Sequence, residues 1–393
     1  MEAVLALVLA AAMVGAGGGA LYFFATINPV HTDPATVPSQ AADADVGRYS
    51  AAVDKAKHLA RALVVDENLP GFSVAVAVDG EVVWAEGFGY ADIDRRTPVT
   101  PRTRFRLGSV SKTLTAAGVA LLHDRGRIDL DAPVQRYVPL YPRKEWTITI
   151  RQLMGDVAGV HRIRGDNNDQ LPFGHCASLA ESLETFAGEP LLFEPGTKYR
   201  FATNGWVLLS AAIEGATAEP FPVFMHREVF VPLGMTRTVL QQADDDADIV
   251  SAYFPRMAMR PKLGLQTAPV AEYSCFAGAG AFLSTPLDLV RLGSATLKPG
   301  LLKADTIAIV QEPLRLASGA STGFALGWKV DDLQLAGAQT RVLRHRGTPL
   351  GGTVSLTLVP SHKLAIAAAA NVSYASGVDP FVLQIAEAFA TAR

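Results

Sequence analysis

Residues 105–117 read Phe-Arg-Leu-Gly-Ser-Val-Ser-Lys-Thr-Leu-Thr-Ala-Ala, and within them Ser109 and Lys112 have the spacing S-x-x-K. Positions three apart share one face of a helix, so the Lys112 amine can lie beside the Ser109 hydroxyl. A serine hydroxyl is a poor nucleophile at neutral pH and needs a base held against it. Ser109 or Ser111 could instead be the N-cap of a helix. Partner residues elsewhere in the chain must therefore distinguish a nucleophile with its base from a cap.

The residues around this pair predict a helix that begins at a tight turn. Gly108 permits the turn, and the exposed amides of a first helical turn favour developing negative charge. Apolar and small residues then recur at helical spacing, at Leu114, Ala117, Gly118, Leu121 and Leu122. The sequence therefore predicts a helix buried in a core, with Ser109 at its start.

The composition of the whole chain limits the classes of protein to consider. The 393 residues are 49% hydrophobic and 19% charged, enough apolar material for one large or two interleaved domains. The formal net charge of −3 gives no indication of a nucleic-acid partner. Cys176 and Cys275 do not have the spacing of metal ligands and would form either one bridge or two buried thiols. We therefore predict neither a metal nor an organic cofactor.

The N-terminal residues 1–27 predict a membrane anchor. After Glu2 they contain no charged residue, and this uncharged stretch is long enough to cross a bilayer as a helix. A signal peptide cleaved after Ala20 is the alternative, although the leading segment has no Lys or Arg. The Pro-, Ala- and Asp-rich residues 28–47 predict a linker. The flanks of the uncharged stretch carry no basic residue that would set the orientation in the membrane. We expect a membrane-anchored protein whose globular domain, residues 48–393, lies outside the cytoplasm, in the periplasm.

The globular part has strand-like runs at both ends and helical patterns between them. The runs 72–78 and 81–89 are joined at Asp79-Gly80, a strong hairpin signal. The other predicted strands are 327–330, 340–345, 353–359 and 364–371, and the predicted helices are 49–66, 109–126, 149–154, 205–214, 288–297 and 380–391. This order predicts an α/β (α+β) fold with one mainly antiparallel sheet built from both chain ends, flanking helices and an inserted helical region.

Four stretches in this order resemble the serine β-lactamase and penicillin-binding-protein superfamily, in its class C and esterase-like branch. They are residues 84–92, 105–112, 193–203 and 345–348, the last followed by Gly351-Gly352. One such motif proves little, but four in sequence are specific. The resemblance implies a β-lactamase/transpeptidase-like fold in which Ser109 is acylated and Lys112 is its base or proton shuttle.

The same resemblance assigns roles to residues late in the chain. His345 and Gly347 are implied to bind substrate, the first through hydrogen bonds to a carboxylate or carbonyl and the second by letting substrate backbone approach. The main-chain amides of Ser109 and Thr348 are implied to form the oxyanion hole. Arg346 stands where the family has a small hydroxyl residue, so we expect it to crowd the pocket or to change its charge.

The second motif of the family, Tyr-x-Asn, is altered in this chain. Phe201 stands at the tyrosine position and Thr203 at the asparagine position, and a phenyl ring has no proton to exchange. Tyr199 and Asn204 are substitutes if the register of the loop differs. Lys112 is then the only evident base.

Residues 153–159 depart from the family in a second place, because Asp156 replaces the histidine of its Leu-Leu-x-His-x-Ser-Gly pattern. Two functions therefore stay open. The first is a serine hydrolase that forms an acyl-enzyme on Ser109 and acts on a peptide, ester or amide. The second is a catalytically impaired relative that binds a peptide or cell-wall-type ligand without turnover. The presence of both Ser109 and Lys112 favours the hydrolase. The sequence makes no prediction of the oligomeric state.

Overall fold

The computed structural model describes residues 28–161, 174–241, 249–269 and 271–392. The anchor predicted in residues 1–27 lies outside these ranges. Among the helices of the described ranges, none has both the length and the apolar character that a bilayer span requires.

The described strands are numbered in chain order. They are β1 (Ser39–Ala41), β2 (Gly71–Val78), β3 (Glu81–Asp92), β4 (Thr97–Pro98), β5 (Phe105–Arg106), β6 (Val239–Leu240), β7 (Tyr253–Pro255), β8 (Leu265–Thr267), β9 (Phe282–Ser284), β10 (Lys329–Leu335), β11 (Ala338–Gly347), β12 (Thr353–Val359) and β13 (Leu364–Ala370). The central sheet has the order β1-β3-β2-β13-β12-β11-β10 with β4 beside β3, and all these pairs are antiparallel. Two small sheets, β5-β9-β6 and β7-β8, lie beside it.

The described α-helices are likewise numbered along the chain. They are α1 (Ser50–Asp66), α2 (Ser111–Asp124), α3 (Ile150–Met154), α4 (Leu179–Glu184), α5 (Thr203–Thr217), α6 (Phe221–Met225), α7 (Ala277–Gly280), α8 (Pro286–Leu297), α9 (Ala304–Gln311) and α10 (Val378–Thr391). Short 3₁₀ turns include Gly108–Val110, which leads directly into α2, and Ser274–Phe276, which leads into α7.

The predicted sheet assembled from both chain ends is confirmed. β2, near the start of the domain, pairs with β13, near its end, in a register that runs from Val78 opposite Leu364 to Phe72 opposite Ala370. The hairpin predicted at Asp79-Gly80 joins β2 to β3, and both turn residues have positive φ, at 53° and 92°. Two such residues fit the tight turns that match the twist of paired strands.

Helices cover both faces of the sheet, and β2 and β13 are therefore buried on both sides. On one face Val74, Val76 and Ile366 pack with the apolar residues of α1 and α10. On the other face Ala75 and Ala367 belong to a second core that includes α2, α5 and α8. Small alanines on that face let the inserted helical region approach the sheet closely, and this region contains Ser109 and Lys112.

Two predictions of the fold need correction. Part of the predicted linker 28–47 is structured, because β1 pairs with residues 86–88 of β3 and Val37 is 3% exposed. An edge strand is held through its main chain, so its composition does not reveal it. The strand predicted at 327–330 lies instead at 329–335, where Asp331 forms an ion pair with Arg344 of β11. Charged cross-strand pairs on an exposed edge conceal the apolar alternation of a strand.

The two cysteines form one bridge, which decides between the alternatives that the sequence left open. Cys176 and Cys275 are 99 positions apart in the chain, and their disulfide ties the segment before α4 to the turn that precedes α7. In the chain-entropy model, closing a loop of this length stabilises the folded state by about 4.7 kcal/mol.

Candidate active site

Ser109 and Lys112 lie next to each other at the start of α2. Nζ of Lys112 donates hydrogen bonds to Oγ of Ser109, at 3.3 Å, and to the carbonyl oxygen of Ala279, at 2.7 Å. The Lys112 side chain is completely buried, whereas Ser109 is partly exposed. The arrangement therefore presents a hydroxyl to solvent with a buried amine behind it.

Two glycines allow the turn that holds Ser109 to touch the end of β11. A Cβ on Gly347 would lie 1.9 Å from the carbonyl oxygen of Leu107, which no side chain tolerates. Gly108 has a φ of +51°, and a Cβ there would lie 3.3 Å from the main-chain nitrogen of Thr348. The Thr348 amide therefore lies beside Gly108, the residue that precedes Ser109. An oxyanion hole formed by the amides of Ser109 and Thr348 requires this proximity.

His345 lies on β11, and its ring is neutral at physiological pH. Its Nδ1 is 2.9 Å from the carbonyl oxygen of Gly327, so this nitrogen carries the proton and Nε2 is left as an acceptor. Burial and the positive charge of Lys112 lower the pKa of His345 to about 4. His345 can therefore act through hydrogen bonds but supplies no charge to a ligand.

Arg346 does not crowd the site, so that prediction is wrong. Successive side chains of a strand point to opposite faces, and Arg346 points away from the face of His345 and Gly347. Its Nη1 forms an ion pair of 3.2 Å with Oδ2 of Asp379, in the first turn of α10. The bulky cation belongs to the other face of the sheet.

Among the second-motif residues, Phe201 contacts Lys112 just before α5 begins. Nζ of Lys112 lies 4.8 Å from the ring centroid of Phe201, a distance that suits a cation–π contact. Thr203 begins α5 and is buried. Tyr199 stacks on Phe324 with ring centroids 4.2 Å apart, and burial followed by the Asp156 charge raises the pKa of its phenol.

Asn204 contributes an open donor to the same region. Its side chain is 7% exposed, and within the described residues its Nδ2 has no hydrogen-bond partner. A buried polar group without a partner costs free energy, so this donor is a candidate for a hydrogen bond to a ligand.

Asp156 is a buried acidic residue to which the sequence reasoning assigned no role. Its Oδ1 accepts hydrogen bonds from the amide of Ala202, at 3.1 Å, and from Nε1 of Trp206, at 3.2 Å. Burial raises the pKa of its carboxyl to about 7, against the opposing attraction of Lys112. The available signal was the replacement of a family histidine by a carboxylate within an apolar stretch.

The carbonyl of Ala279 is a second feature that the sequence did not reveal. It belongs to α7, which is held between two other helices by a bond from Thr115 Oγ1 to the Gly278 carbonyl and a bond from the Gly278 amide to Ser210 Oγ. The turn before α7 also contains Cys275 of the disulfide. A main-chain acceptor 167 positions away from Lys112 has no sequence signature.

A cavity of about 880 Å³ lies elsewhere in the domain, lined by parts of residues 91–106 and 249–271 together with Arg237 and Leu350. Ser109, Lys112 and His345 do not line it. The described ranges also hold no cluster of three acidic, histidine or cysteine residues suited to a metal ion.

Comparison with known proteins places this arrangement in a family. The family model described as Beta-lactamase matches residues 56–386. Serine beta-lactamase-like protein LACTB, mitochondrial, of Homo sapiens is 27% identical over 396 aligned residues, which cover 79% of this chain and 72% of that protein. Penicillin-binding protein 4* of Bacillus subtilis (strain 168) is 23% identical over 325 aligned residues, covering 80% and 71%.

A solved structure shows the same fold. EstCE1, a hydrolase with promiscuous acyltransferase activity, superposes with a TM-score of 0.72 at 23% identity and covers 87% of this chain and 99% of its own. The sheet built from both chain ends and the inserted helical region thus have a counterpart of known structure. With a family model that spans most of its length, the chain belongs to the beta-lactamase family, within the serine β-lactamase and penicillin-binding-protein superfamily.

Proposed function

We propose that this protein is a serine hydrolase that forms an acyl-enzyme on Ser109, with Lys112 as the base. The observation that carries the proposal is the completely buried Lys112 amine, 3.3 Å from the Ser109 hydroxyl. Burial penalises the charged form of an amine, so a neutral lysine becomes available as a base. Membership in the beta-lactamase family supports the same assignment.

The proposed reaction has two balanced halves. Neutral Lys112 takes the proton of Ser109 while Oγ attacks the substrate carbonyl carbon, and the amides of Ser109 and Thr348 donate to the oxyanion. Lys112 then returns the proton to the leaving amine or alcohol as the C–N or C–O bond breaks. In the second half Lys112 takes a proton from water, the hydroxide attacks the acyl carbon, and the proton returns to Ser109 as the acid departs.

The neutral imidazole of His345 supports a substrate that carries no charge near the reacting carbonyl. The neutral imidazole offers hydrogen bonds but no positive charge, and Arg346 is paired with Asp379 on the other face. A substrate carboxylate, such as that of a penicillin, would receive no charge from either residue. We therefore propose a peptide, ester or amide as substrate in preference to a β-lactam.

The disulfide supports a location outside the cytoplasm. Bridges such as Cys176–Cys275 persist in oxidising compartments and are rare where thiols are kept reduced. We propose that the domain works in the periplasm and that residues 1–27 attach it to the membrane.

The second candidate function is ligand binding without turnover. Phe201 favours it, because the ring beside Lys112 carries no hydroxyl to exchange a proton. The open Nδ2 donor of Asn204 would serve such binding equally well.

Hydrolysis of a p-nitrophenyl ester and of the matching anilide tests the proposed function. We expect the wild-type protein to release p-nitrophenol faster than buffer, and Ser109→Ala to fall to the buffer rate with an unchanged melting temperature. Ser361→Ala, in the turn between β12 and β13, is the matched control and should retain the wild-type rate. Equal rates for wild type and Ser109→Ala, or no hydrolysis by the wild type, would overturn the proposal.

A further inference from the structure

Asp156 is the buried acidic group of the site, and the proposed mechanism gives it no step. It lies just after α3, is 8% exposed and has a φ of +56°. Its main-chain carbonyl accepts from the amide of Arg200, and its Oδ1 accepts from Ala202 and Trp206. The carboxyl group is therefore held by the segment that carries Phe201, whose ring contacts Lys112.

We propose that Asp156 is the buried counter-charge of Lys112 and sets the pH above which Ser109 can be acylated. This inference rests on the proposed function. Asp156 is then a positioning residue, because it acts through Lys112 and does not touch the reacting atoms.

The surroundings of Lys112 explain why a full counter-charge matters. A completely buried ammonium group loses its hydration, and its other partners include a carbonyl dipole of Ala279, the Ser109 hydroxyl and the Phe201 ring. A negative carboxylate attracts the ammonium more strongly than these dipoles, and burial leaves little water to screen it.

Two other titratable groups that interact with the pair are neutral in the relevant range. Tyr199 interacts electrostatically with Asp156, and burial raises the pKa of its phenol, so it stays protonated. His345 interacts with Lys112 from β11, and its pKa of about 4 leaves it uncharged near neutrality. These two groups therefore add no charge beside Asp156 and Lys112 near neutrality.

The sign of the effect follows from the order in which the two groups lose protons. With the pKa of Asp156 at about 7, Lys112 faces a neutral acid at lower pH and an anion at higher pH. The anion holds the proton on Lys112 to a higher pH, which delays the appearance of the neutral base. Removal of the charge from Asp156 should therefore let Lys112 deprotonate at lower pH.

Asp156→Asn isolates this charge, because the amide oxygen can still accept from Ala202 and Trp206. We would measure the rate of Ser109 labelling by an uncharged fluorophosphonate between about pH 5 and pH 10. We expect the midpoint of the acid limb to move down by about one pH unit or more, so that labelling within the wild-type limb becomes about tenfold faster. Asp332→Asn, on the exposed strand β10, is the matched control and should not move the midpoint.

Each other outcome has a distinct meaning. A wild-type midpoint in Asp156→Asn, whether or not the rate falls at every pH, would overturn the inference and leave the acyl-enzyme standing. Absence of wild-type labelling at any pH would overturn both the proposed function and the inference. If Asp156→Asn does not fold, Asp156→His, with the residue of the family pattern, replaces it and should lower the midpoint in the same way.

Discussion

The two sides of the Ser109 site differ in how closely their residues match the family pattern. On the strand side, the turn at Gly108 and the end of β11 at Gly347 touch through main-chain atoms, and these residues follow the family pattern. On the helical side, Phe201 and Asp156 depart from it. The Phe201 ring contacts Lys112, and we propose Asp156 as the counter-charge of that lysine. The strand side is thus held by main-chain contacts, whereas Phe201 on the helical side reaches Lys112 through its side chain, which can change without moving the main chain.

The largest expected effect concerns the residue shared by both sides. Lys112→Met keeps the length and the apolar stem of the buried side chain but removes the base. We expect the rate of Ser109 labelling by a fluorophosphonate to fall by about a thousandfold, within the range that general bases contribute. Lys298→Met, at an exposed lysine that donates to the carbonyl of Asp79, is the control and should label normally. An unchanged rate in Lys112→Met would show that the helical side does not handle the proton.

The next effect tests the strand side alone. In Gly347→Ala the new methyl group would meet the carbonyl oxygen of Leu107 at 1.9 Å, so β11 must move away from the nucleophile turn. We expect ester hydrolysis to fall by about a hundredfold, the scale of losing an oxyanion donor. Gly188→Ala adds the same methyl group with nothing within 4 Å and should hydrolyse the ester at the wild-type rate. Equal rates for the two variants would contradict the importance of this contact.

A smaller effect in the opposite direction tests the helical side. Phe201→Tyr adds a hydroxyl to the ring that faces Lys112 at 4.8 Å, and a phenol can exchange a proton. We expect acylation to become about tenfold faster, measured as the rate of Ser109 labelling. The same change at Phe254, which packs edge-on against Tyr374 outside the site, should have no effect. If Phe201→Tyr also has none, position 201 is not where the proton passes.

The fold followed from the sequence where burial governs the pattern. β12 and β13 are buried along their whole length, and their runs of apolar residues made them readable. β1 was missed and β10 was misplaced, because edge strands depend on main-chain pairing and on charged side chains such as Asp331. Edge strands accept polar residues, so β1 and β10 lack the apolar pattern from which strands were predicted.

The site followed from the sequence only where its geometry is local. The three-residue spacing of Ser109 and Lys112 on one helix implied that they could meet, and they lie 3.3 Å apart. The expected effect of Arg346 on the pocket was wrong, because strand alternation turns its side chain away from the face of His345. The partners of Asp156 and the carbonyl of Ala279 come from distant segments, which only the folded chain brings together.

The central claim is that the retained strand side and the altered helical side still form one acylation site. Intact-mass spectrometry after exposure to a fluorophosphonate, and separately to a penicillin, tests it most directly. We predict one fluorophosphonate adduct per chain, located on Ser109 by peptide mapping and absent from Ser109→Ala, with little or no penicillin adduct. A chain that stays unmodified by both reagents, or is modified at a residue other than Ser109, would contradict the claim and favour binding without turnover.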